Sequence, residues 1–147
     1  MSEDPNTPFY IKKNTEIDGK LWLAGVGSRR ATVMFVAPGI LEEEAATEVD
    51  AGYGRKLTRI PRMLDCSFGV LLKKLAQKEG IDMDKCYYTS IVKYLPDELR
   101  LRKKPNKEML AKGMAFLDKE IEAVQPSIIV CLGKLAFDCF VDFRAKE

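Results

Sequence analysis

Histidine is absent from this chain of 147 residues. That removes the side chain that most often acts as a general base near neutral pH, the commonest metal ligand, and every Ser–His or Cys–His nucleophile pair. No apolar run approaches the roughly 18–20 residues a bilayer span requires, and the opening MSEDPNTP is polar and acidic, unlike a secretory leader. Neither a membrane protein nor a secreted one is expected. No CxxC pair occurs among Cys66, Cys86, Cys131 and Cys139, and there is no Walker loop and no GxGxxG. Three of these cysteines lie in apolar stretches, where the thiol behaves as a small hydrophobe. The expectation is reduced cysteines, no cofactor, no metal and a cytoplasmic location. Charge of one sign is also scarce: 24 Lys and Arg against 22 Asp and Glu leave a net +2. A histone-like polycation is excluded, while a local basic patch is allowed.

What is present is enough for a packed core, with 46% hydrophobic and 31% charged residues in a length that suits one domain. Residues 1–31 read as an N-terminal extension. In it Phe9-Tyr10-Ile11 and Leu21-Trp22-Leu23 flank the turn pair Asp18-Gly19, a candidate hairpin, and residues 25–31 read as a loop. From residue 32 to 147 the pattern is that of an α/β domain. Thr32–Val36 is a short apolar run, the mark of a strand buried on both faces, and Ala37-Pro38-Gly39 stops it. An acidic stretch from Glu42-Glu43-Glu44 to Asp50 and a glycine-bearing loop around Gly52 and Gly54 follow.

Met63, Leu64, Phe68, Leu71, Leu72 and Leu75 recur at helical spacing over 62–79, with Gly80 as the C-cap. Cys86–Val92 is a second strand, 107–124 a second amphipathic helix, Ser127–Leu132 a third strand, and Gly133 opens a last helix. The order β-α-β-α-β-α predicts a three-layer α/β/α fold with a short parallel sheet. Ligands of such sheets bind beyond the carboxyl ends of the strands. Here those ends lead into loops 37–60 and 93–106 and the turn at Gly133.

Between Lys93 and Lys112 stand seven positive residues (Lys93, Arg100, Arg102, Lys103, Lys104, Lys107 and Lys112) against three negative ones. Such a patch beside a strand end suits polyanions, and phosphate contacts made by it would be salt-dependent and largely indifferent to sequence. The plain alternative is a solvated loop. Gly133-Lys134 at a helix start offers N–H groups to an anion, or is simply a turn. Consecutive glutamates point in different directions, so Glu42–Glu44 reads as a solvated acidic face.

Four segments in this order resemble the uracil-DNA glycosylase superfamily, in particular its bacterial family 4. Val33–Gly39 resembles that family's strand with a GEAPG turn, and Gly69-Val70-Leu71-Leu72 its G-x-L-L helix. Tyr87–Lys93 is similar to its Y-I-T-N-V-V-K strand, and Pro126–Ala136 to its P-x-x-I-V-x-L-G-x-x-A stretch. The resemblance covers about residues 32–142. It implies a base pocket built from Val36, Ala37, Pro38, Gly39, Leu64, Phe68 and Ser90, while the charge pattern and the helix start themselves point to DNA contacts from Lys93, Arg100, Arg102, Lys103, Lys104, Lys107 and Lys134.

The chemistry departs from the family pattern. Val36 stands at the family's acidic position, Ser90 at its base-reading Asn, and Leu64 at its stacking Phe, with Phe68 nearby. A serine lacks the paired amide edge that reads a base. The closing H-P-S motif is missing. So are the iron–sulfur cysteines, with Tyr94 at one position and Lys112 or Gly113 at another. Three strands are counted where the family fold has four, which leaves an edge to be covered by the N-terminal segment or by a completing polypeptide. Phage DNA polymerases of the A family sometimes carry a glycosylase-like region, so a polymerase is a second expected partner besides DNA.

Three functions follow from this reading. The first is a glycosylase-like DNA-binding module without catalysis, serving replication or repair. The second is an active base-excision glycosylase with an altered site. The third is an interaction subunit that docks through an open strand edge.

Overall fold

A computed structural model describes residues 13–95 and 106–145. Side chains are described to residue 142. Phe9-Tyr10-Ile11 and most of the basic loop, including Arg100, Arg102, Lys103 and Lys104, lie outside the described residues.

The described residues begin with a hairpin, β1 (Thr15–Ile17) paired antiparallel with β2 (Lys20–Trp22) across Asp18-Gly19. The turn pair is where the sequence places it, with both residues left-handed (φ 51° and 76°), but its first strand is TEI rather than the more apolar FYI. Short β3 (Val26–Gly27) follows, then β4 (Val33–Ala37), α1 (Glu42–Ala45), β5 (Glu48–Gly52) and β6 (Arg55–Thr58). The second half comprises α2 (Ser67–Lys78), a 3₁₀ turn (Met83–Lys85), β7 (Tyr87–Ser90), α3 (Lys107–Val124), β8 (Ile128–Cys131) and α4 (Lys134–Ala145).

Four strands form the central sheet in the order β3-β7-β4-β8. β7, β4 and β8 run parallel, as their apolar character predicts, with β4 in the middle. Residues 25–31 are not wholly a loop. β3 adds an antiparallel edge strand along β7, and Gly27 (φ 115°) sits where a Cβ would strike the Cys86 carbonyl. Trp22 and Leu23, also before residue 32, are buried. At the other edge β8 pairs with β4 alone among the described residues.

Strand alternation sends β4 side chains into two cores. Met34 and Val36 enter a cluster with Tyr87, Ile91, Val92, Met114, Leu117, Val124, Ala136 and Cys139, beneath α3 and α4. Phe35 and Ala37 enter the other, with Leu23, Ile40, Met63, Leu64, Cys86 and Tyr88, beneath α2. The result is the expected three layers. All four cysteines are free thiols, and burial pushes each above its ordinary range.

Two expectations about elements are corrected. Residues 48–58 form a hairpin, β5–β6, with a register shift between Asp50 and Gly52, rather than a loop. The helix expected over 62–79 begins at Ser67, because Leu64 is left-handed (φ 69°) and Cys66 acts as N-cap, its sulfur accepting from Gly69 N–H at 3.4 Å. Gly69, Leu72 and Ala76 are its inward positions, whereas Leu71 and Leu75 are 53% and 51% exposed. At Gly69 a Cβ would lie 1.9 Å from the Leu64 carbonyl oxygen, so the first turn is pressed onto the preceding segment too tightly for a bulkier residue.

Candidate functional site

Hydrogen bonds lace the carboxyl ends of the three parallel strands together. Ile91 N–H donates to the Ala37 carbonyl (2.9 Å), Val92 N–H to that of Pro38 (3.2 Å), and Leu132 N–H to that of Val36 (2.8 Å). Above this end lies a cleft of about 350 Å³, lined by Gly19, Lys20, Leu21, Leu23, Ala45, Thr47, Tyr94 and Leu95. One wall is the β1–β2 hairpin. It is fastened by Leu23 N–H to the Lys93 carbonyl (2.7 Å) and by Asn14, whose side chain donates to Pro61 O (2.5 Å) and accepts from Ala24 N–H (3.0 Å). Tyr94 lines the cleft too, with the Lys20 ammonium 5.8 Å from its ring centroid. Behind it Trp22 packs on Tyr94 and Phe116, at 5.2 and 4.7 Å between centroids. Lys20 and Trp22 of β2 thus hold Tyr94 against the hairpin at the cleft. A second cavity, about 410 Å³ between the end of α2 and the 3₁₀ turn, lies at the amino end of β7, away from the strand ends.

A buried polar cluster underlies the floor. Glu120, from the inner face of α3, accepts from Tyr87 O–H (2.6 Å) and Thr89 O–H (2.9 Å) and pairs with the Lys93 ammonium at 2.6 Å. Lys93 also donates to the Ser90 carbonyl (2.6 Å). Lys93 and Glu120 are both 0% exposed. This corrects the placement of Lys93 on a DNA-facing rim: its ammonium points inward and anchors the segment after β7. The cluster is closed by two near-contacts of backbone. A Cβ on Gly25 would lie 2.2 Å from the Tyr87 hydroxyl, and one on Gly113 would lie 2.2 Å from Ile91 O.

A second buried carboxylate stands after β4. Glu44 accepts from Leu41 N–H and Leu64 N–H, both at 2.8 Å, pinning the 62–66 segment to α1. Burial pushes its carboxyl above the usual range, although both N–H donors and Arg59 oppose the shift. Glu43 meanwhile receives Ser67 N–H (3.1 Å) at the start of α2. The acidic run is therefore a solvated face only in part: Glu42 and Glu43 are exposed and Glu44 is interior. Alternation of burial along a four-residue helix is invisible to composition. Glu120, by contrast, had a signal, since it falls three residues after Leu117 on the apolar stripe of α3.

Of the residues expected in a base pocket, Ala37 and Ser90 are brought together as register partners, and Leu64 packs in the same core as Ala37. Val36 and Ser90 are fully buried, Pro38 and Gly39 half-buried, and Phe68 exposed at the first turn of α2. The Ser90 hydroxyl donates to the Val92 carbonyl at 2.7 Å, within its own loop. Of the expected cations, Lys107 is exposed at the start of α3, and Lys134 is exposed but paired with Asp138 at 2.6 Å. Lys112 pairs with Asp18 at 2.5 Å and lies 5.5 Å from the Trp22 centroid. Among the described residues no helix is long and apolar enough to cross a membrane.

The family model described as the uracil DNA glycosylase superfamily matches residues 24–146. A type-4 uracil-DNA glycosylase of Archaeoglobus fulgidus is 29% identical over 117 residues, covering 78% of this chain and 50% of that protein. The type-4 uracil-DNA glycosylase of Thermotoga maritima is 32% identical over 120 residues, covering 82% of this chain and 54% of the relative. A DNA polymerase of Bacillus phage SP01 is 32% identical over 115 residues, 78% of this chain but 11% of the polymerase. The chain thus spans about half the length of the curated type-4 relatives it matches.

Proposed function

The chain belongs to the uracil-DNA glycosylase superfamily, and on that premise we propose that it is a glycosylase-like DNA-binding module that does not hydrolyse the glycosidic bond. The observation that carries this reading is Ser90. At the end of β7, where a base would be read, its hydroxyl is buried and its proton is committed to the Val92 carbonyl at 2.7 Å. Val36, the register partner of Thr89 on the other face of the sheet, is an apolar side chain directed into the core beneath α3 and α4, and this sequence holds no histidine to stabilise developing charge. Retention of DNA binding is supported by the cations that the sequence clusters at Arg100, Arg102, Lys103, Lys104 and Lys107, and by the cleft at the strand ends. The setting is replication or repair, in the cytoplasm, or the host cytoplasm if the gene is a phage's.

The deciding experiment incubates the protein with single- and double-stranded oligonucleotides carrying one uracil, then reveals abasic sites with alkali. No strand scission is expected, together with binding at low salt that weakens as salt rises. Efficient scission, which would mark an active glycosylase with an altered site, overturns the reading.

A second reading, docking onto a larger replication enzyme, is favoured by the similarity to a short part of a phage polymerase and by β8, which has one strand neighbour among the described residues. Sizing the protein in its native extract tests it: elution at the mass of the free chain argues against a companion.

A further inference from the structure

The β5–β6 hairpin has no role in the core. Every residue from Glu48 to Thr58 is exposed, and its strands pack on each other and on no other element to any extent. An isolated two-stranded hairpin is marginal in water, so its persistence here depends on its root. That root is built firmly. Arg59 N–H donates to the Thr47 carbonyl (2.8 Å), and the Arg59 guanidinium reaches the carbonyls of Glu43 and Glu44 and the Asp65 carboxylate (3.7 Å). Thr47 lines the cleft above the strand ends, so the hairpin rises from the cleft rim. Five residues of strand at about 3.3 Å each carry its tip roughly 15 Å outward.

The tip is Gly52-Tyr53-Gly54, three consecutive left-handed residues with φ of 84°, 53° and 72°. Glycine takes this conformation without cost, and a bulky aromatic does not. Tyr53 is nevertheless there, and it is fully exposed (104%). An aromatic held in a disfavoured backbone conformation, away from any core, contributes nothing to folding that Gly or Asn would not supply better. Charges of both signs adjoin it, with the two cations on the strand that leaves the turn and the two carboxylates, Glu48 and Asp50, on the strand that enters it. Arg55 has no carboxylate partner among the described residues, and Lys56 follows it, its pairing with exposed Glu48 stretched to 3.9 Å. Asp50, opposite Lys56 in register, accepts from Gly52 N–H at 2.9 Å and braces the turn.

We propose that the hairpin is a DNA probe: Tyr53 inserts between base pairs of a duplex beside the cleft while Arg55 and Lys56 contact the flanking phosphates. The two glycines give the tip a cross-section narrow enough for a groove, and an unstacked step exposes a base face to the ring. The inference rests on the DNA-binding reading above and adds to it a named contact and a duplex substrate.

The test uses a duplex with 2-aminopurine at one position, whose fluorescence rises when its stacking is broken. Wild type is expected to bind at low salt and raise that fluorescence. Tyr53→Gly removes the ring while relieving the backbone, so it should fold at least as well. It is expected to weaken binding about 5- to 100-fold, the range of one base–aromatic stack, and to abolish the fluorescence rise; Tyr53→Phe should retain both. If wild type binds the duplex and Tyr53→Gly matches it in affinity and fluorescence, the probe is refuted and the DNA-binding reading stands. If wild type binds no DNA, the DNA-binding reading falls and the probe with it.

Discussion

Lys93 and Glu120 form an ion pair without solvent contact, and the carboxylate is further satisfied by Tyr87 and Thr89. Buried pairs of this kind add little net stability over apolar substitutes, but breaking one leaves a desolvated charge. Glu120→Gln is therefore expected to lower the unfolding free energy by about 3–5 kcal/mol, measured by urea denaturation. Glu44 makes a different prediction. Its native pKa is raised by burial, so the folded state holds this proton more tightly than the unfolded chain does. Its contribution is fully present below the ordinary value of 4.5 and is lost as pH rises through the raised native value. Compared with the non-titrating Glu44→Gln, wild type should gain stability as pH falls through the raised native value toward 4.5. A gap between the two urea midpoints that stays constant with pH would contradict this. Neither carboxylate is set apart by its residue type; what distinguishes them is the absence of water around them, which depends on chain segments 20 to 33 residues away.

At the scale of elements, α3 and α2 are instructive opposites. For α3 the apolar stripe Met109, Leu110, Met114, Leu117, Ile121 and Val124 faces the core, and the helix runs over 107–124 as the sequence predicts. In α2 the largest apolar residues point outward, because the inward face must approach the Leu64 backbone and accepts Gly69, Leu72 and Ala76 instead. Periodicity counts apolar residues without weighing how close the neighbouring backbone comes. Leu71→Ala and Leu75→Ala should accordingly change stability by about 0.5 kcal/mol or less, whereas Leu72→Ala should cost clearly more. Equal losses at all three positions, read from thermal or urea unfolding, would place the helix with its other face inward. The β5–β6 hairpin escaped sequence reading for a related reason. Its strands EVDAG and RKLT bury nothing, so they lack the alternation that marks a half-buried strand.

Considered as a whole molecule, the protein carries a net charge of only +2, so the proposed DNA binding must depend on where its cations lie. Lys93 is withdrawn into the interior, Lys112 is tied to Asp18, and Lys134 to Asp138. The sequence places four further cations at Arg100, Arg102, Lys103 and Lys104, outside the described residues, with exposed Lys107 at their border. Each phosphate contact contributes about 0.9 to the slope of log affinity against log salt. Replacing Arg102, Lys103 and Lys104 with Ala should flatten that slope by about 2–3, with the melting temperature unchanged. A slope unaltered by the triple substitution would move the interface elsewhere on the surface.

The sequence by itself determined the layer order, the three parallel strands and the Asp18-Gly19 turn, since these follow from local apolar runs and turn residues acting over a few positions. It also determined that histidine is absent and that serine stands at position 90, the two residue-level facts on which the proposal of a non-hydrolysing module draws. Only the tertiary structure decided that Lys93 faces Glu120 rather than solvent, that Glu44 is interior while Glu43 is not, and that Tyr53 stands alone at the end of a hairpin. The physical reason is common to all three. Whether a polar or aromatic group is solvated depends on segments distant in the chain, and the free energy of a charge or a ring is set by that surrounding far more than by its neighbours in sequence.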